Sequence, residues 1–144
     1  MAISPKSTCF SARIATWDQA LSEYIVGKRS EPFIWGANDC CTFAAGAVVA
    51  MTGFDPMAEY RGRYSTAIGS ARALKRIGNT TLEGAWDAKF TPVPIGQAER
   101  GDLAFADECV GVIVGGFAWF VTAPEAGVGL VRMPRASWDK AWKV

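Results

Sequence analysis

The chain has 144 residues, half of them apolar, which is the length of one ordinary domain and enough to bury a core. Lys plus Arg number 15 and Asp plus Glu 14, so the net charge of +1 gives no electrostatic reason to expect nucleic acid or an anionic membrane face as a partner. No run approaches the ~20 apolar residues of a membrane span and "MAISPKSTCFSARIA" lacks the apolar centre of a signal peptide, so the expectation is a soluble protein made in the cytoplasm.

In chain order, "TWDQALSEYIVG" (16–27) predicts an amphipathic helix, because Trp17, Ala20, Leu21, Tyr24 and Ile25 recur at helical spacing. Thr16 and Gln19 have the spacing of a capping box, and Gly27 is a natural stop. A polar link leads to "FIWGANDCCTFAAGAVV" (33–49), where a second helix is expected from Cys40 to Met51 with Phe43, Ala44, Ala47, Val48 and Met51 on one face. Asn38 or Asp39 caps it and Gly53 ends it. "STAIGSARALKRIG" predicts a third helix with Ile68, Ala71, Leu74 and Ile77 turned inward, closed by Gly78. The stretch from Asn79 to Gly101 holds three turn-forming clusters and reads as a loop or short helix.

After about residue 100 the character changes. "DLAFA", "VGVIV", "AWFVTA" and "VGLVRM" are short, rich in β-branched and aromatic residues, and broken by turn formers, which predicts an antiparallel meander. The C-terminal "SWDKAWKV" sets Trp138, Ala141 and Trp142 on one helical face. Helices first and strands second define an α+β class, with N-terminal helices packed on a C-terminal antiparallel sheet.

The chemistry concentrates on the cysteines. There are four, Cys9, Cys40, Cys41 and Cys109, and two are sequence neighbours, which suits a reducing compartment better than a disulfide framework. Cys40 falls in the first turn of its helix, where unpaired amides favour a thiolate, while Asp39 opposes ionisation unless its carboxylate turns back to cap the helix. Cys41 points about 100° away, so one thiol faces a site and the other the core. A free cysteine is also a common small core hydrophobe, and the local residues leave both readings open. No metal is expected, since Cys40, Cys41 and Cys109 lack a fourth ligand and a recognised spacing, and no cofactor is implied. Histidine, the usual partner of a catalytic thiol, is absent from the chain.

The order "FIWGANDCCTF" resembles the nucleophile motif of the NlpC-type cell-wall cysteine peptidases, a papain-like superfamily. The likeness continues at "RGDLAFADECVGVIVGGFAWFVTAP", where the superfamily has a Gly-Asp-Leu strand, then a strand opening on His-Val-Gly, then a second polar residue before an Ala-Pro turn. The resemblance implies one papain-like, NlpC-type domain over 1–144 with Cys40 at the nucleophile position. Cys109 then falls at the general-base histidine, Thr122 at the residue that orients it, and Phe33 where many members carry a tyrosine.

Those substitutions matter, because thiol catalysis needs one group to take the thiol proton and return it to the leaving amine. A second thiol does this poorly, and carboxylates such as Asp39, Asp107 or Glu108 are weak bases for a thiol when they titrate near ~4. The expectation is a degenerate peptidase fold. The pattern "FIWGANDCCTFAA…TGFDP…YRGRYST…GDLA" is closest to a branch of small phage-encoded proteins of unassigned function found among tail genes. The resemblance thus implies a non-catalytic component of a phage tail tip, assembled in the host cytoplasm and held in the virion by hub or distal tail proteins. Peptidoglycan is a further partner if the cleft still binds glycopeptide. The alternative is an active cell-wall peptidase or amidase using Cys40, with a base from a carboxylate or a neighbouring subunit. The six tryptophans are read as packing or interface anchors before sugar platforms, and "RGRY" (61–64) as a solvated turn.

Overall fold

The structure is a computed structural model that describes residues 12–122 and 129–144; Cys9 and the Ala-Pro turn at 123–124 lie outside the described residues. Helix α1 (Trp17–Lys28) buries Leu21 and Ile25 and packs Trp17 and Tyr24 at the edge of the core. Its predicted capping box does not form. The Thr16 backbone sits at φ −98°, ψ 23° instead of an extended conformation, its side chain makes no cap bond, and the Gln19 amide turns to Glu23. The helix also runs through Gly27, because its cap at Arg29 keeps right-handed helical angles and needs no glycine.

Helix α2 (Cys40–Thr52) is buried on most of its circumference, as its uncharged sequence requires. The predicted face of Phe43, Ala44, Ala47, Val48 and Met51 is fully buried, and Gly53 ends the helix at φ 81°. Close approach to α1 depends on Gly46: a Cβ there would stand 2.2 Å from the Tyr24 hydroxyl, which donates to the Phe43 carbonyl at 2.7 Å.

Helix α3 (Ala67–Gly78) starts at a Thr66 cap and ends at left-handed Asn79, one residue beyond the expected stop. Its inward face differs from the prediction. Ile68 is 66% exposed and Ala71 is exposed, whereas Ala73 is buried and Leu74 and Ile77 are half-buried, so only the C-terminal half of the helix covers the core. Helix α4 (Leu82–Asp87), capped by Thr81, buries Ala85 and Trp86.

The strands are β1 (Thr91–Pro92), β2 (Leu103–Ala106), β3 (Cys109–Ile113), β4 (Phe117–Val121), β5 (Leu130–Pro134) and β6 (Lys140–Lys143). They form one antiparallel sheet in the order β1-β6-β2-β3-β4-β5. The predicted meander is β2 to β5. The predicted C-terminal helical face is corrected to strand β6, which pairs Ala141 with Ala104 and Trp142 with Leu103. Strand alternation turns Ala141 and Trp142 to opposite faces, and Trp138 lies ahead of the strand at the end of a 3-10 turn (Arg135–Ser137). Trp142 joins the helix-side cluster beside Trp86 and Phe105 and donates to Asp87 at 2.8 Å, whereas Trp138 joins the cluster of Ala104, Ile113, Phe120 and Ala141. Both are buried, so they pack and do not present sugar platforms.

Buried Asp102 of the Gly-Asp-Leu motif ties the termini of the described core together. It accepts from the Arg13 guanidinium at 2.9 Å and from the Glu99 and Val144 amides. No helix among the described residues is long and apolar enough to cross a membrane.

Candidate active-site cleft

The site begins with a loop that closes on itself. Ile34 and Asn38 exchange both backbone hydrogen bonds, and the Asn38 amide donates to Pro32 O at 2.8 Å. Gly36 has φ 84°, and a Cβ there would stand 2.2 Å from the Tyr64 carbonyl oxygen, so both conformation and space demand glycine. This turn aims the Gly36 N–H at Asp39.

Asp39 is the cap of α2, and the reciprocal box with Thr42 is complete: Thr42 N–H donates to Asp39 Oδ1 at 2.9 Å and Asp39 N–H donates to Thr42 Oγ1 at 2.8 Å. Its other oxygen accepts from Gly36 N–H at 2.8 Å and Tyr64 O–H at 2.7 Å. The carboxylate is buried and engaged on both oxygens. "RGRY" is accordingly more than a solvated turn, because Arg61 pairs with Asp55 and Tyr64 locks the cap that positions Cys40.

The two neighbouring thiols do divide as their 100° separation implies. Cys41 is buried among the core residues, and desolvation with Asp39 nearby pushes its thiol up to about 12. Cys40 is half-buried and lines two adjoining grooves. One, of about 170 Å³, runs along α3 past Ser70, Leu74 and Leu82. The other, of about 270 Å³, has walls of Phe33, Trp35, Phe120 and Met133 and carries Asp107, Glu108 and Cys109.

Cys109, the first residue of β3, lines the same groove as Cys40. The Cys109 thiol, burial, and the nearby Asp39 and Cys41 hold the Cys40 thiol well above its usual range. Cys40 in turn lowers Cys109, against the opposing effects of burial and of the carboxylates at Asp107, Glu108 and Asp39. A thiol held in its protonated form is the reverse of what a cysteine nucleophile needs.

The turn that delivers Cys109 is a two-residue loop between paired Ala106 and Cys109, with Asp107 at φ 51° and Glu108 at φ 57°. Both central residues are left-handed, the type I′ pattern that normally selects Asn-Gly. Thr122 lies one residue past β4, half-buried, with its N–H donating to Gly129 O at 3.1 Å. Counting along β3 and β4 from the Val112–Trp119 pair sets Thr122 level with Cys109, but it lines neither groove. Phe33 stands edge-on to Trp35 with ring centroids 4.8 Å apart. Among the described residues no cluster of three His, Cys, Asp or Glu side chains could hold a metal ion. Sequence reasoning missed Tyr64, Phe120 and Met133 as parts of the site, since each arrives from a separate element, whereas Trp35 belongs to the motif itself.

This arrangement of helices on a six-stranded antiparallel sheet is the fold of an NlpC/p60 domain. A solved structure of the NlpC/p60 domain of the peptidoglycan hydrolase SagA matches it with a TM-score of 0.59 at 19% identity, covering 88% of this chain and 97% of that one. The fold is therefore NlpC-like and papain-like. By sequence, residues 12–144 match the family described as Domain of unknown function (DUF6950), and the chain belongs to that family. No curated protein matches it.

Proposed function

We propose that this chain is a non-catalytic structural component of a phage tail tip, associated with the hub, built on an NlpC-type fold whose hydrolytic centre is unarmed. The observation that carries the non-catalytic half is that Cys109, which shares the groove with Cys40 at the start of β3, puts a thiol where the resemblance puts a general base, in a chain without histidine. The nearest carboxylate offers no replacement, because Asp39 is committed to Gly36, Tyr64 and Thr42. The tail assignment is supported by the sequence resemblance to small proteins encoded among tail genes. Exposed apolar residues support assembly: Ile34 is 52% exposed, and Val131, which lines the second groove, is 46% exposed.

Two measurements test the two halves. Mass spectrometry of purified virions should find the chain in the particles, and its presence in the lysate but not in the virion would contradict the tail assignment. The purified chain should release no more muropeptide from peptidoglycan than its Cys40→Ala variant does. One observation favours the second reading, an active peptidase or amidase: exposed Asp107 and Glu108 share a groove with Cys40. Under that reading release is measurable and falls when Asp107→Asn or Glu108→Gln is introduced.

A further inference from the structure

The cleft pairs two thiols of unequal character. Cys109 is half-buried, opens β3 directly after the exposed Asp107–Glu108 turn, and lines a surface groove. Cys40 lines the same groove, near enough that each thiol shifts the titration of the other. Their backbones belong to a helix start and a strand start, and joining them requires the sulfurs to close to the ~2.05 Å of a disulfide bond. Cys41 is turned into the core and does not compete.

We propose that Cys109 and Cys40 form a peroxide-reactive dithiol, in which hydrogen peroxide oxidises Cys109 and Cys40 resolves the product into a Cys40–Cys109 disulfide. In the first step the Cys109 sulfur attacks one peroxide oxygen. An S–O bond forms, the O–O bond breaks, and the departing hydroxide takes the thiol proton as water, leaving a sulfenic acid two electrons more oxidised. In the second step the Cys40 sulfur attacks the Cys109 sulfur, the S–O bond breaks, and the departing hydroxide takes the Cys40 proton. Two thiols and one peroxide give one disulfide and two waters.

The polarity of the pair supports this order of events. The neighbouring Cys40 thiol favours negative charge on the Cys109 sulfur, against the Asp107, Glu108 and Asp39 carboxylates. The second step then requires a thiol in the same groove, which Cys40 supplies. The product would tie the first turn of α2 to the start of β3 across the cleft. The proposal rests on Cys40 having no base, and it is independent of the tail assignment.

The test uses the full chain, fully reduced, exposed to hydrogen peroxide at pH 7 and quenched with an alkylating agent before intact-mass and peptide mapping. The expected result is a mass loss of two hydrogens, with the link joining the peptide of Cys109 to that of Cys40. Cys40→Ser should stop at one added oxygen on Cys109, trapped by dimedone, and Cys109→Ser should slow oxidation of Cys40 at least about tenfold. Oxygen gain without hydrogen loss in the wild type would overturn the proposal, as would a link that survives Cys40→Ser or that runs to Cys9. Should a variant fail to fold, the wild-type map alone decides. Muropeptide release by the reduced protein, measured in parallel, would overturn the non-catalytic reading separately.

Discussion

Asp39 and Cys109 between them set what Cys40 can do. The Asp39 carboxylate does turn back to cap the helix, and it still adds to the raised pKa of the Cys40 thiol beside it, so capping does not relieve its opposition to ionisation. Asp39→Ala should therefore act mainly on stability. It removes the cap and leaves the Tyr64 hydroxyl and Gly36 amide without their acceptor, for an expected loss of about 2–4 kcal/mol by denaturant unfolding. Cys109→His is the complementary change. If Cys109 holds the base position, an imidazole there takes the Cys40 proton, and iodoacetamide should alkylate Cys40 at pH 7 at least about tenfold faster than in the wild type. An unchanged rate would mean that Cys109 does not occupy the base position.

At the scale of elements, the β2–β3 hairpin carries strain that the site uses. Asp107 and Glu108 both adopt left-handed backbone, at a cost of roughly 1 kcal/mol each relative to residues that tolerate it, and the turn they make puts Cys109 against Cys40. Asp107→Asn with Glu108→Gly should raise stability by about 1–2 kcal/mol in urea unfolding. A loss of stability would show that their carboxylates contribute more than the backbone costs. This turn was not legible in the sequence, because "ADEC" carries no turn-forming pair. The meander strands were legible, since each is a short β-branched and aromatic run between breaks. Strand β6 was not: Trp138 and Trp142 fit a helical face as well as a strand, and what decides is the long-range pairing with β2 and the bond from Trp142 to Asp87. Helix α2 was readable to within a residue because Asp39, its apolar face and Gly53 agree. In α1 a correctly spaced Thr16 and Gln19 made no box, because spacing without the backbone angle of a cap is insufficient.

For the whole molecule, the helix-on-sheet fold was carried by the order of its elements, while much of the cleft was not. Cys40 and Cys109 were visible as residue types in register. Tyr64 was invisible because its partner Asp39 lies 25 residues away in sequence. The exposed apolar residues Ile34 and Val131 belong to this scale as well, since neither is needed to fill the core. Ile34→Glu with Val131→Glu should change unfolding free energy by less than about 0.5 kcal/mol per site and still lower the amount of chain recovered in virions. Full incorporation would place the tail contact on another face.

On our proposal the fold keeps its thiol without a group able to ionise it, and the pH dependence of iodoacetamide alkylation at Cys40, followed by mass spectrometry, tests this most directly. A raised thiol pKa leaves less thiolate at neutral pH, so Cys40 should react more slowly than free cysteine at pH 7 and accelerate only above the usual thiol range near ~8.5, after Cys109 has reacted. A Cys40 that reacts faster than free cysteine at pH 7, on a plateau already reached below neutral pH, would contradict the account.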